Sequence, residues 1–210
     1  AGSSSFEAIA DGAGYLLFPG IGGLYQARPH GIHRISTGLL LAAGPTGWLV
    51  IECDERYRCQ TVLVDRANGH RETVAGRPVG RDGHGVISPD GSTVAVLTTR
   101  PEGTVEVAIL DVARGSWLRV ANLAVNQAAL DGALAFSPDG KWLFAVTAGG
   151  SVAVINPRTS TSSILHVSLP AVTQLVVRPA ARTRTEQRPL SSSEVAAALT
   201  PTCCRPTPEQ

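Results

Sequence analysis

A turn built on proline recurs through the chain, and its spacing restricts the fold more than any other feature. Aligned on that proline, "AAGPTGWLVIE" at Pro45, "VISPDGSTVAV" at Pro89 and "AFSPDGKWLFA" at Pro138 lie 44 and 49 residues apart, and "LVVRPAA" brings Pro179 after another 41. A second register runs in step with the first. In "TVLVDRANG", "VAILDVARG" and "VAVINPRTS" a β-branched run stops at Asp65, Asp111 and Asn156, spaced by 46 and 45 residues. A period of roughly 20–50 residues marks one supersecondary unit used repeatedly, stacked so that neighbours bury each other's apolar faces.

The residue types say what the unit is made of. Pro presets φ for the first turn position, Asp supplies a local acceptor, and Gly takes the place where a side chain would be strained. Asp90 and Asp139 are therefore read as turn residues rather than as catalysts. The runs ending at Asp or Asn and then Gly or Ser read as strands entering tight turns. Each unit reads as four short strands joined by hairpins, in the clearest case residues 84–88, 93–98, 105–111 and 116–121. The expected class is all-β, with helix only in "SSSEVAAAL" (191–199), where Ser193 would cap an Ala-rich run. Trp48 and Trp142 occupy equivalent places after their turns if one gap is allowed, and both are expected to pack between sheets.

Composition narrows the partners. A net charge of +1 with arginines scattered along the chain offers no field of one sign for a phosphate backbone, so nucleic acid is not an expected partner. No apolar run approaches the roughly 18–20 residues of a membrane-spanning helix. The lack of Met is compatible with a cleaved export signal, and one Lys against seventeen Arg suggests a high-GC bacterial source. There is no G-x-S-x-G elbow, no H-E-x-x-H, no phosphate-binding Gly-rich loop and no calcium-type D-x-D-x-D-G run. Accordingly no catalytic residue, metal ligand or cofactor is assigned. His30, His33, His70, His84 and His166 read as ordinary polar residues of turns and strand ends.

The "SPDGK" turn followed by an apolar strand, and then by a strand ending in Asp-x-x-x-Gly, resembles bacterial β-propeller repeats of the TolB-like and WD40-like kind, and "GGSVAVINPRT" is similar to the YVTN type. The resemblance is good over residues 38–179 and weak over 6–37, and the Trp-Asp and Gly-His signatures of eukaryotic WD40 repeats are absent. It implies four-stranded antiparallel blades, about four of them: a lead-in at 1–14, blades near 15–37, 38–80, 81–130 and 131–170, a closing or opening strand at 173–178, and a Pro/Thr/Arg-rich tail at 180–210. Four is at the lower edge of the usual propeller range of 4–8 blades. Closure, or covering of an open end by a partner or by self-association, is therefore expected.

In the repeat alignment Cys53 and Cys59 lie across the mouth of one hairpin, where paired strands bring Cα atoms within disulfide range. A disulfide is favoured over free thiols, and the spacing does not suit a zinc knuckle. A disulfide would place the protein outside the cytoplasm of a bacterium. The adjacent Cys203 and Cys204 are read as free or as paired with another chain. In a propeller the loops at 54–58, 76–84 and 100–103 share one face, which would gather Arg56, Tyr57, Arg58, Arg81, Asp82, His84, Arg100 and Glu102 into a mixed-charge surface suited to a protein partner or a small ligand. The leading reading is an exported, non-catalytic binding or scaffolding module. A hydrolase or lyase with its site in the central channel is the alternative, and a sensor domain of a larger membrane protein the third.

Overall fold

Runs such as "TVAVLTT" and "VEVAILD" are apolar on both sides of a strand, which suits strands covered on both faces. The computed structural model describes residues 8–76, 85–125, 133–165 and 175–177 and contains sixteen strands and no helix among them. They form four consecutive antiparallel meanders. The first is β1 (Ile9–Ala10), β2 (Leu16–Gly20), β3 (Gly23–Arg28) and β4 (Gly31–Ser36). The second is β5 (Leu39–Ala43), β6 (Gly47–Cys53), β7 (Cys59–Asp65) and β8 (Arg71–Val74). The third comprises β9 (Gly85–Ile87), β10 (Thr93–Thr99), β11 (Val105–Asp111) and β12 (Ser116–Arg119), and the fourth β13 (Leu134–Phe136), β14 (Leu143–Val146), β15 (Val152–Asn156) and β16 (Thr161–Leu165).

Alternation along the middle strands sends each residue to one of two neighbours. Val94 and Val96 of β10 join a core with Leu49 and Ile51 of β6, whereas Ala95 and Leu97 join one with Leu143 and Ala145 of β14. A third core places Leu17 and Leu24 of the first meander against Trp48, Val50 and Val62 of the second. Three apolar layers thus separate the four meanders, each called a sheet below, as between the blades of a propeller. Each fully buried Leu, Ile or Val contributes about 1.5–3 kcal/mol.

The first strand of each meander lies towards the common centre. There β5 and β9 run parallel and pair, Ala42 with Gly85 and Ala43 with Val86, so the second and third meanders form one eight-stranded sheet. Glycine permits this approach: a Cβ on Gly44 would stand 2.5 Å from the Cβ of Ile87, and Gly85 likewise lets β9 lie close to β10 on its other side, where a Cβ would stand 2.1 Å from the carbonyl oxygen of Ala95. Residues Leu175–Val177 also reach the centre, and Leu175 packs on the core between the third and fourth sheets.

Two expectations need correction. Ile9–Ala10, assigned to the lead-in, pairs with Leu16 and Leu17 and supplies the first sheet's innermost strand; a two-residue strand is too short to display alternation. Trp142 does not pack between sheets. It is 45% exposed, because it points away from the third sheet, whereas Trp48 is buried as expected, with the Arg66 guanidinium 4.5 Å above its ring. The helix expected at 191–199 and Cys203 and Cys204 lie outside the described residues. The chain divides into two compact units, the sheets belonging to the one that ends at Arg178.

Candidate binding surface

The β6–β7 hairpin is clamped at its mouth. Cys53 and Cys59 are directly paired across the two strands, and they form a disulfide with Cα atoms 3.9 Å apart. Inside this ring Asp54 organises the loop: one carboxylate oxygen accepts from the amides of Arg56 and Arg58, each at 2.9 Å, and the other from the Arg58 guanidinium at 2.6–2.7 Å. These contacts, led by the Arg58 amide, hold the Asp54 carboxyl below its ordinary range. Tyr57 donates its amide to the Asp54 carbonyl and takes φ +58°, a region that bulky residues rarely enter. Its ring stands in solvent, 90% exposed.

Beside the hairpin lies a polar cleft of about 520 Å³, lined by Thr37, Glu52, Asp54, Arg58 and Gln60 together with the disulfide. Glu52 is fixed at its floor by the Ser36 hydroxyl at 2.6 Å and by the Arg71 guanidinium. Burial raises the Glu52 pKa, but Arg71 and Ser36 outweigh it, and the carboxyl sits below its usual range.

Arg100, on the β10–β11 hairpin, does different work from that expected of a surface arginine. Its Nε donates to the Glu106 carboxylate at 2.5 Å, Arg119 approaches the other Glu106 oxygen at 3.2 Å, and Glu102 stands 3.6 Å from Arg100. The Glu106 side chain is only 3% exposed, so its charge requires these arginines. Neither Glu106 nor Arg119 was expected from the sequence. A lone Glu at the start of the apolar run "VEVAILD" was the available signal, since a charge inside a strand buried on both faces must be paired. Arg81, Asp82 and His84 lie outside the described residues, so the expected loop-face cluster is represented by Arg56, Tyr57 and Arg58 on one hairpin and Arg100 and Glu102 on another.

A second pocket, of about 400 Å³, opens at the centre. Its walls come from the inner strands and the proline turns, including Ala10, Pro45, Val86, Pro89, Phe136 and Val176. Beside it, Asp11 is fully buried and accepts from Arg66 at 2.5 Å, Gln26 at 2.6 Å and the amides of Ala13 and Tyr15. Burial alone would raise the Asp11 pKa, but these donors, Arg66 foremost, bring it below the ordinary value. Arg66 also donates to the Asp11 and Gly44 carbonyls, which ties the first sheet to the second. Among the described residues no group of three His, Cys, Asp or Glu side chains is placed to hold a metal ion, and no helix is long and apolar enough to cross a membrane.

No protein-family model matches the chain, and no curated protein matches it. Among solved structures it is similar to a TolB candidate from Agrobacterium tumefaciens, at 16% identity and a TM-score of 0.53, over 78% of this chain and 62% of that one. It is similar also to the tricorn protease, at 11% identity and a TM-score of 0.50, over 75% of this chain and 16% of that one. The chain therefore spans less than two thirds of either. With four radial meanders about one centre, it has the fold of a TolB-like β-propeller, of which it forms a part.

Proposed function

We propose that the chain is a non-catalytic binding module that engages a protein partner through the loop face carrying the β6–β7 hairpin. The observation that supports this reading is Tyr57, an exposed aromatic held in a left-handed backbone conformation by a disulfide and a capping carboxylate, with Arg56 beside it. Tyr and Arg dominate the energetics of protein contacts, and a pre-ordered loop loses little entropy on binding. The same disulfide supports a site of action outside the cytoplasm, in an oxidising compartment. The hydrolase or lyase reading is less well supported, because the central pocket is walled by apolar side chains that suit packing better than proton transfer.

The test is capture of partners from a bacterial envelope fraction by the 210-residue chain and by a Tyr57→Ala, Arg56→Ala variant. A stable partner retained by the first and lost by the second supports the proposal. Turnover in a broad substrate screen, or a partner held equally by both proteins, contradicts it.

A further inference from the structure

The β6–β7 hairpin belongs to a meander with a neighbour on either side, and its two sulfurs are not equivalent. Cys53, the last residue of β6, is exposed, whereas the Cys59 side chain packs on the core shared by the second and third sheets. Both line the polar cleft of about 520 Å³, so an incoming thiol reaches the bond without disturbing the sheets. Glu52 and Asp54, the carboxylates on either side of Cys53, are already paired with Arg71 and Arg58, which lessens their repulsion of a thiolate. The Cys59 Sγ lies 3.5 Å from the Tyr57 carbonyl oxygen. A disulfide sulfur has no proton to place there, but a thiol has one. Reduced Cys59 therefore finds its acceptor already in position, on the residue whose ring the hairpin presents to solvent.

We infer that the Cys53–Cys59 bond is a thiol-exchange site, opened in the folded protein by a dithiol reductant, and that its state regulates how firmly the hairpin holds Tyr57. A thiolate of the reductant attacks the Cys53 Sγ. The Sγ–Sγ bond breaks, and Cys59 leaves with the electron pair, takes a proton from water and hydrogen-bonds as a thiol to the Tyr57 carbonyl. The reductant's second thiolate then attacks its own sulfur in the mixed disulfide and releases Cys53, which is protonated in turn. The reductant becomes a disulfide, and the cysteine pair gains two electrons and two protons. Cys53 and Cys59 are only six residues apart, and so short a loop is the kind from which a cross-link removes least chain entropy, so the sheets do not depend on the bond. Its contribution is local. The Asp54 hydrogen bonds keep the turn after reduction, but the two strand ends that carry it regain freedom. The regulation rests on the hairpin being the binding surface; the exchange chemistry does not.

The experiment treats the native 210-residue chain with reduced dithiothreitol or reduced glutathione and maps Cys53 and Cys59 by mass spectrometry, apart from Cys203 and Cys204, with hydrogen exchange on the same samples. Dithiothreitol is expected to open the bond while β6, β7, β10 and β11 keep their protection. Glutathione trapped in the mixed disulfide should be found on Cys53. The amides of residues 56–58 should exchange several-fold faster after reduction, and a Cys53→Ser, Cys59→Ser variant should show that faster rate in either buffer. Affinity for a partner captured through Tyr57 should fall about two- to tenfold on reduction, the cost of immobilising one flexible side chain again, and the double variant should not respond. A bond that yields to dithiothreitol only as the sheets unfold, or glutathione carried by Cys59, overturns the exchange site. Loop exchange and partner affinity that are both indifferent to reduction overturn the regulation. If no partner is captured, the binding surface itself fails, while bond opening and loop exchange still decide this inference.

Discussion

At the scale of single residues, the proline turns show which atoms the sequence discloses and which it conceals. Pro, Asp and Gly were legible because each has one dominant role in a tight turn, and Gly91 and Gly140 do take φ of +75° and +69°. The serine before Pro89 and before Pro138 was overlooked. The Ser88 hydroxyl donates to Asp90 at 2.6 Å and accepts from the Thr93 amide at 3.0 Å, and Ser137 does the same for Asp139 and Trp142. Ser88→Ala should therefore cost about 1 kcal/mol in chemical denaturation, the usual worth of a buried hydrogen bond of this kind. Asp139 is brought to about 2, chiefly by the Ser137 hydroxyl. A carboxyl depressed on folding stabilises above its unfolded pKa and ceases to do so as pH falls through the folded one. Between about pH 4 and pH 2 the Asp139→Asn variant should accordingly show a shallower loss of melting temperature than the wild type.

Glu106 is the other residue whose role appears only in three dimensions. Its partners come from a loop and from the outer strand β12, so no spacing along the chain could have revealed the cluster. The two sides of the cluster are not equivalent. Glu106→Ala leaves two arginines facing an apolar interface and should cost about 2–3 kcal/mol, less than a wholly buried pair because both arginines reach solvent. Arg100→Ala leaves Arg119 on the same carboxylate and should cost less than half as much, which a pair of urea titrations would distinguish.

Among the elements, the middle strands were the most readable and the ends of the repeat the least. Strands such as β10 and β11 are long, apolar on both faces and bounded by strong turns, and they fall within a residue or two of their expected limits. The first meander was faint because β1 has two residues and β4, "GIHRIS", is largely exposed and carries a histidine and an arginine. The β6–β7 hairpin was legible through its cysteines, but the left-handed Tyr57 was not, since nothing local in "DERYR" requires it. Mass spectrometry of non-reduced peptides should link Cys53 to Cys59. Reduction should lower stability by about 2 kcal/mol, the chain-entropy value for so short a loop. Because the Asp54 hydrogen bonds survive reduction, the loss in partner affinity should be smaller than that caused by Tyr57→Ala.

For the whole molecule, the repeat registers carried the architecture and left the closure open. The spacing of Pro45, Pro89 and Pro138 established that sheets recur, but whether the last meets the first depends on the angle between neighbours, which no single period encodes. Exposure of Trp142 and Ile32 is the physical answer: the first and fourth sheets do not cover one another. The tail is expected to contribute little to this arrangement, so removal of residues 185–210 should leave the melting temperature of the sheets nearly unchanged. A cut before residue 175 would also delete Leu175 from its core and should lower it clearly.

Hydrogen exchange followed by mass spectrometry tests the central claim most directly, namely that recurring four-stranded meanders bury their middle strands against neighbouring meanders and leave their outer strands to solvent. The account predicts slow exchange for the amides of β6, β7, β10, β11, β14 and β15, and retained protection of β5 and β9 where they pair in parallel. The outermost strands β4, β8, β12 and β16 should exchange at least tenfold faster, the difference that about 1.4 kcal/mol of opening free energy produces. Middle strands that exchange as fast as the outer ones, or a protected set that does not recur with the period of the proline turns, would contradict it.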